Sequence, residues 1–268
     1  MDDLAFDPRQ SAAELIRWYV EMGVDAVVDE APRDRLAEAR RPVVQERVTP
    51  SPGARPVAAP GDATEEARQL ARSAPDLDAL RGLLERFEGC ALRGTAKSLV
   101  FADGNPAGRV MFVGEAPGAE EDRIGKPFVG RSGQLLDRML AAIGLDRDQV
   151  YIANIIPWRP PGNRTPTPQE AAVCQPFIER QIELADPDIL VCLGGPSAQA
   201  LLATKDGILK SRGRWTTYAT GTREIRALAT LHPAYLLRQP LQKRLAWRDF
   251  KTIRAALDAT PRPPGPSA

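Results

Sequence analysis

Three side chains able to do chemistry stand in short segments, two of them marked by glycine or proline. Glu115 lies in Gly114-Glu115-Ala116-Pro117-Gly118 and Asn154 in Tyr151-Ile152-Ala153-Asn154. His232, the only histidine, lies in Leu231-His232-Pro233-Ala234-Tyr235-Leu236-Leu237-Arg238. Together they offer a carboxylate, an amide that both donates and accepts, and an imidazole that does either. Further polar loops accompany them: Gly125-Lys126-Pro127-Phe128-Val129-Gly130-Arg131-Ser132-Gly133, Arg159-Pro160-Pro161-Gly162-Asn163-Arg164, and Gly194-Gly195-Pro196-Ser197. Ser132-Gly133 and Gly195–Ser197 open helices, and helix N-termini suit phosphates. Each segment also has an ordinary structural reading. Gly-Glu-Ala-Pro-Gly is a turn, Ser197 a helix cap, Asn154 a strand-end residue, and a lone histidine is more often structural.

The elements that must position these groups set the weight between the two readings. Arg109–Val113, Val150–Ile156, Ile189–Leu193 and Glu224–Thr230 read as buried strands. Ser132–Ile143, Pro168–Ala185, Ser197–Ala203 and Leu241–Ala256 read as helices between and after them. Strands that alternate with helices imply βαβ units. The expected fold is α/β, a three-layer αβα arrangement around a central, mostly parallel, four-stranded sheet. Such sheets bind ligands beyond the carboxyl ends of their strands. Every polar loop named above follows a predicted strand, so the loops read as one composite site.

Bulk properties narrow the classes. The chain has 268 residues, 43% apolar and 26% charged, enough for one packed catalytic domain with a tail. No apolar run approaches the ~18 residues of a membrane span, and the acidic start Met1-Asp2-Asp3-Leu4 does not resemble a signal peptide. A soluble, cytoplasmic, monomeric protein is expected. The net charge of +1 hides an uneven distribution, because residues 205–254 carry 12 basic and 3 acidic side chains. Such a patch can neutralise phosphates. Three widely spaced cysteines, Cys90, Cys174 and Cys192, form no disulfide framework and suit a reducing compartment. Ser11-Ala-Ala-Glu14 is a capping box before a short amphipathic helix. Residues 30–75 hold seven prolines and read as a linker with a short helix near Glu65–Arg72. The expected division is therefore an N-terminal helix and partly disordered linker over 1–75, a catalytic domain over 76–260, and a disordered tail over 261–268.

The motifs match a known family. Val113-Gly-Glu-Ala-Pro-Gly-Ala-Glu-Glu-Asp122, followed by Pro127-Phe128-Val-Gly130, resembles the first motif of uracil-DNA glycosylases. The class most similar is the iron–sulfur type first known from thermophiles. Asn154, the Arg159–Arg164 loop, Gly194-Gly195 and His232-Pro-Ala-Tyr-Leu-Leu-Arg238 follow in that class's order. The resemblance covers about residues 88–258 and says nothing about residues 1–75. It departs in one respect. Members hold a [4Fe-4S] cluster on four cysteines, of which Cys90 and Cys174 match the first and last, while Arg93 and Trp158 stand at the other two places. Four thiolates are the normal complement, so no metal and no other cofactor is expected. A disulfide between Cys90 and Cys174 is the alternative that a reducing compartment disfavours.

The resemblance implies an enzyme that flips uracil out of single- or double-stranded DNA and hydrolyses its bond to deoxyribose, with no membrane partner. Glu115 would position water and offset positive charge on the sugar, and His232 would donate to uracil O2. Gly114, Ala116, Glu121, Phe128 and Asn154 would bind the base, with Phe128 against its face. Ser132, Gly133, Arg159, Arg164, Gly195, Ser197 and Arg238 would meet the DNA backbone, and Leu236 and Leu237 would wedge into the vacated stack. The competing readings are a glycosylase of broader base specificity, a slow or non-catalytic binder of uracil or abasic DNA, and a nucleotide- or phosphate-binding α/β module. Absence of GxxxxGK[ST] and GxGxxG counts against the last.

Overall fold

The computed structural model describes residues 60–259. The helix expected from Ser11, the linker up to residue 59 and the 261–268 tail lie outside the described residues. In chain order the elements are α1 (Pro60–Ser73), α2 (Leu77–Arg86), β1 (Asp103–Gly104), β2 (Val110–Gly114), α3 (Ala119–Ile124) and α4 (Arg131–Ala141). Next come β3 (Val150–Asn154), α5 (Pro168–Ala185), β4 (Ile189–Leu193), α6 (Gly195–Leu202), α7 (Ile208–Ser211) and β5 (Trp215–Ala219). The last are β6 (Glu224–Thr230), α8 (Pro233–Arg238) and α9 (Lys243–Ala259).

One sheet runs in the order β1-β3-β2-β4-β6-β5. Its four inner strands are parallel and its two edge strands antiparallel. The αβα class is as expected, but the sheet has six strands, not four. The two extra strands sit at the edges, where burial is weakest: β1 is two residues long and β5 is largely exposed. The inner strands β2, β3 and β4 are buried at every position. That explains their unbroken apolar sequences, since both faces are covered by helices. One face, with Met111, Tyr151, Leu190 and Ala227, shares a core with α1, α2, α5 and α6. The other, with Phe112, Ile152, Val191 and Leu228, packs on Leu136 and Leu140 of α4 and Phe250, Ile253 and Leu257 of α9.

The start of the compact unit differs from expectation. The short helix expected near Glu65–Arg72 is present but longer, over residues 60–73, and it is no part of a linker: Ala63, Ala67, Ala71 and the following Ala74 are buried against α5. Pro60 opens this helix and Pro75 follows it, so both prolines punctuate an element rather than mark a tether. Alanine at every fourth position is a strong helix former and lets two helix axes approach closely.

Strand register brings the reactive loops together. Gly114 pairs with Asn154, and Leu193 with Thr230, so the carboxyl ends of β2, β3, β4 and β6 lie along one edge of the sheet. The end of β6 is fixed from below. Asp249 of α9 accepts a 2.6 Å hydrogen bond from the Thr230 hydroxyl and pairs with the Arg212 guanidinium. His232 follows two residues later.

Candidate active site

A cavity of about 590 Å³ opens over the four strand ends, and Glu115, Phe128, Asn154, Gly194, His232 and Arg238 all line it. Asn154 ends β3 and is buried. Its Oδ1 accepts no hydrogen bond among the described residues. An unpaired buried acceptor costs about 1–3 kcal/mol. Its presence in a cavity marks a place where a ligand donor belongs.

Gly114 gives this amide its room. A Cβ there would stand 2.5 Å from Asn154 Oδ1 and 2.6 Å from Phe128 Cζ. Phe128 itself takes the left-handed backbone region, with φ 53°. That is a strained setting for a bulky side chain, held only where the surroundings fix it. Three groups do so. The Arg147 guanidinium donates to the Phe128 carbonyl and, at 3.1 Å, to that of Pro127. Arg147 is braced by Asp103 and Asp137. Gly133 lets α4 start directly on this turn, since a Cβ there would lie 1.7 Å from the Phe128 carbonyl oxygen. Phe128 is thereby presented beside His232, ring centroids 5.5 Å apart.

Glu121 ties the same loops together. One carboxylate oxygen accepts from the Gly118 N–H at 3.1 Å, the other from Val129 and Gly130 at 3.1 and 2.9 Å. The side chain was expected to bind substrate, and it does border the cavity. Its oxygens are nevertheless spent on joining the Glu115 turn to the Phe128 turn, which makes it a positioning residue.

His232 caps α8, its Nδ1 accepting from the Ala234 N–H at 3.1 Å. The ring proton therefore sits on Nε2. Burial, with the Arg238 charge adding to it, lowers its pKa to about 4. The imidazole is thus neutral at neutral pH and holds a single donor, Nε2–H. Half-buried Glu115 is shifted the other way, since burial raises its carboxyl above the ordinary value. The site combines a neutral donor, a carboxylate with raised proton affinity, an amide with a free acceptor and an aromatic face.

Not every expected residue joins the cavity. Ala116, Ser132, Arg164 and Gly195 line it. Arg164 is also engaged with Glu170 at 2.6 Å. Arg159 lies beside the cavity and donates to Asn163 Oδ1 at 2.7 Å. Two expectations are corrected. Ser197 is fully buried in the first turn of α6, where Gly194 is the cap residue, and its hydroxyl donates back to the Gly194 carbonyl at 3.1 Å, so its side chain neither caps the helix nor reaches DNA. Leu236 is fully buried with Leu231 and Ala246 and so cannot enter a base stack, whereas Leu237 is exposed. On a short helix two consecutive leucines point about 100° apart, and one of them turns to the core. Gly133 acts through packing, as above. Arg147 carries no functional signal in the sequence, because nothing in Asp146-Arg147-Asp148 shows which carbonyls its guanidinium meets. Tyr235, which lines the cavity beside His232, carried no signal beyond its motif.

The cluster positions can be tested on their chemistry. Cys90 and Cys174 are buried free thiols with Sγ atoms 3.8 Å apart. The hydrogen bond that the Cys174 thiol gives Cys90 lowers the Cys90 pKa and, with burial, raises that of Cys174. Arg93 points outward and donates to the Glu85 carbonyl at 2.9 Å, and the Trp158 ring is buried in the same core as both thiols. Among the described residues no group of three or more His, Cys, Asp or Glu side chains can hold a metal. Two thiols, an arginine and an indole do not fit a [4Fe-4S] centre. Nor is any helix among the described residues long and apolar enough to cross a membrane.

Comparison with known proteins agrees with this geometry. Residues 101–251 match the model of the Uracil DNA glycosylase superfamily. The chain is 42% identical to a Type-4 uracil-DNA glycosylase of Thermotoga maritima over 156 residues, 58% of this chain and 80% of that protein. It is 40% identical to one of Archaeoglobus fulgidus over 168 residues, covering 61% and 84%. With one of Saccharolobus solfataricus it shares 37% over 191 residues, covering 69% and 88%. The matched stretch contains all four strand ends and every residue placed around the cavity, and on that ground the chain belongs to the Uracil DNA glycosylase superfamily.

Proposed function

We propose that this protein is a uracil-DNA glycosylase, which hydrolyses the N-glycosidic bond of uracil in DNA and leaves an abasic site. The observation that carries the reading is the free, buried Oδ1 of Asn154 in one cavity with Glu115, Phe128 and His232. Uracil offers N3–H to that oxygen and takes a hydrogen bond from Nδ2 at O4. Cytosine reverses both groups, so it would leave buried partners unpaired, the costliest kind of mismatch.

The target base must leave the stack, at a cost of a few kcal/mol, before it reaches this cavity. Leu237 fills the gap it leaves. Arg238, Arg164 and the start of α4 at Ser132 take the flanking phosphates. Phe128 stacks on the uracil face. As the glycosidic bond lengthens, positive charge grows on the sugar and negative charge on the base, mainly at O2. The Nε2–H of neutral His232 donates to O2. The Glu115 carboxylate offsets the sugar charge and orients the water that adds to C1′. The base departs as an anion with the electron pair of the broken bond and is then protonated from solvent, while the water that adds to C1′ passes its proton to solvent by way of the Glu115 carboxylate. The enzyme works as a monomer in the cytoplasm, where its three cysteines stay reduced.

The decisive assay is release of free uracil from single-stranded and duplex oligonucleotides in the presence of EDTA. Release is expected, and its absence from both kinds of strand would overturn the reading. Specificity has its own test. Asn154→Asp removes the donor to O4 and sets a carboxylate against it. Uracil release is expected to fall by about 100-fold, with the uracil-to-cytosine ratio falling alongside. The melting temperature should stay within a few degrees. An unchanged ratio would show that Asn154 does not read the base.

A further inference from the structure

We infer that this chain replaces the metal centre of the class it resembles with a packed, metal-free centre at the same place, and that the four ligand positions still converge there. The inference rests on family membership but not on which base is removed. A cluster at these positions would join three segments: the stretch after α2, the loop after β3 and helix α5. Here each junction is made without metal. Cys90 and Cys174 meet at 3.8 Å, thiol to thiol. Phe87 and Phe177, three residues to either side, join the same two segments with ring centroids 5.0 Å apart at 59°. The Val100 N–H donates to the Pro157 carbonyl at 2.8 Å, which ties the first segment to the loop that carries Trp158. The Trp158 indole, 3% exposed, fills the core that both thiols share.

The two substituted positions keep a common outlook. Arg93 and Trp158 border one cleft, together with Lys97, Phe101 and Lys126. Arg93 gives up no buried contact by being there. Its guanidinium lies along the last turn of α2 and satisfies the Glu85 carbonyl, a group left open at a helix end. An arginine that caps a helix and a tryptophan that fills a core are both structural solutions. Neither is a ligand, and the two remaining thiols are already paired with each other.

The test is iron content, which does not read activity. The natural chain is expressed with added iron, purified without oxygen and then incubated with ferrous iron and sulfide. No stoichiometric iron, no visible charge-transfer absorption and a thermal midpoint indifferent to chelator are expected. Arg93→Cys/Trp158→Cys restores four thiols, and after the same treatment it should hold about four irons per chain. Cys90→Ala/Cys174→Ala should remain folded, melt within several degrees of the natural chain and release uracil at the natural rate. Iron bound by the natural chain would overturn the inference. So would a folded Arg93→Cys/Trp158→Cys variant that stays colourless, or a Cys90→Ala/Cys174→Ala variant that no longer folds. Failure of uracil release with an iron-free, folded chain would instead count against the functional reading alone.

Discussion

Glu115→Gln is expected to slow single-turnover release of uracil by roughly two to three orders of magnitude, the usual scale for removing one preorganised group, while binding of uracil-DNA persists. The glutamine fills the same space beside the cavity, so only charge is lost. That charge matters most when the sugar is cationic, which is why the loss falls on the chemical step. His232→Ala should cost a similar factor for the opposite partner, since it removes the donor to the departing base. The pH profile separates the two roles. His232 titrates at about 4 and is neutral above that. Glu115 titrates above its ordinary value because burial disfavours its charge. The rate should therefore rise with pH through the raised Glu115 value and then level off. In Glu115→Gln that acid limb should vanish, whereas in His232→Ala it should remain. Single-turnover rates between about pH 4 and 8 measure both, and an acid limb that survives in Glu115→Gln would refute its assignment.

How much of this was legible depended on what each residue contacts. Inner strands were readable because full burial demands unbroken apolar runs, so Ile189–Leu193 and Glu224–Thr230 have the expected bounds. β5 carries Trp215, Thr216, Thr217 and Tyr218, all good strand formers, but an exposed edge imposes no unbroken apolar run of the kind that marks the inner strands. Glu115, Asn154, Phe128 and His232 were readable because they follow strands in family order, and the cavity does gather them. Glu121 and Arg147 were harder. Their work is to hold backbone groups of other loops, and nothing in a linear sequence says which carbonyl a guanidinium will meet. Leu236 and Ser197 show the converse limit. Both lie within motifs that face the site, yet local helix geometry turns each of them inward.

Helix α1 leads to the other large effect. A fragment that begins at residue 60 should fold and release uracil at the full-length rate, because every site residue and all of α1 are retained. A fragment that begins at Pro75 should be destabilised by several kcal/mol, on the order of half a typical domain stability. The reasons are local. It loses the buried methyl groups of Ala63, Ala67, Ala71 and Ala74, each worth about 0.8 kcal/mol. It uncovers the face of α5 on which they pack, and the Arg180 guanidinium loses the Ala74 carbonyl it bonds at 2.7 Å. α5 also carries Cys174 and Phe177, so the damage reaches the metal-free centre before it reaches the cavity. The expected readout is a melting temperature lower by about 10 °C or more, or insoluble protein, for the shorter fragment alone. Both fragments melting like the full chain would show that α1 adds no stability. A single substitution gives the same answer at smaller scale. Ala67→Glu places a charge where α1 meets α5 and should destabilise by roughly 3 kcal/mol or more, with Glu115 and His232 untouched.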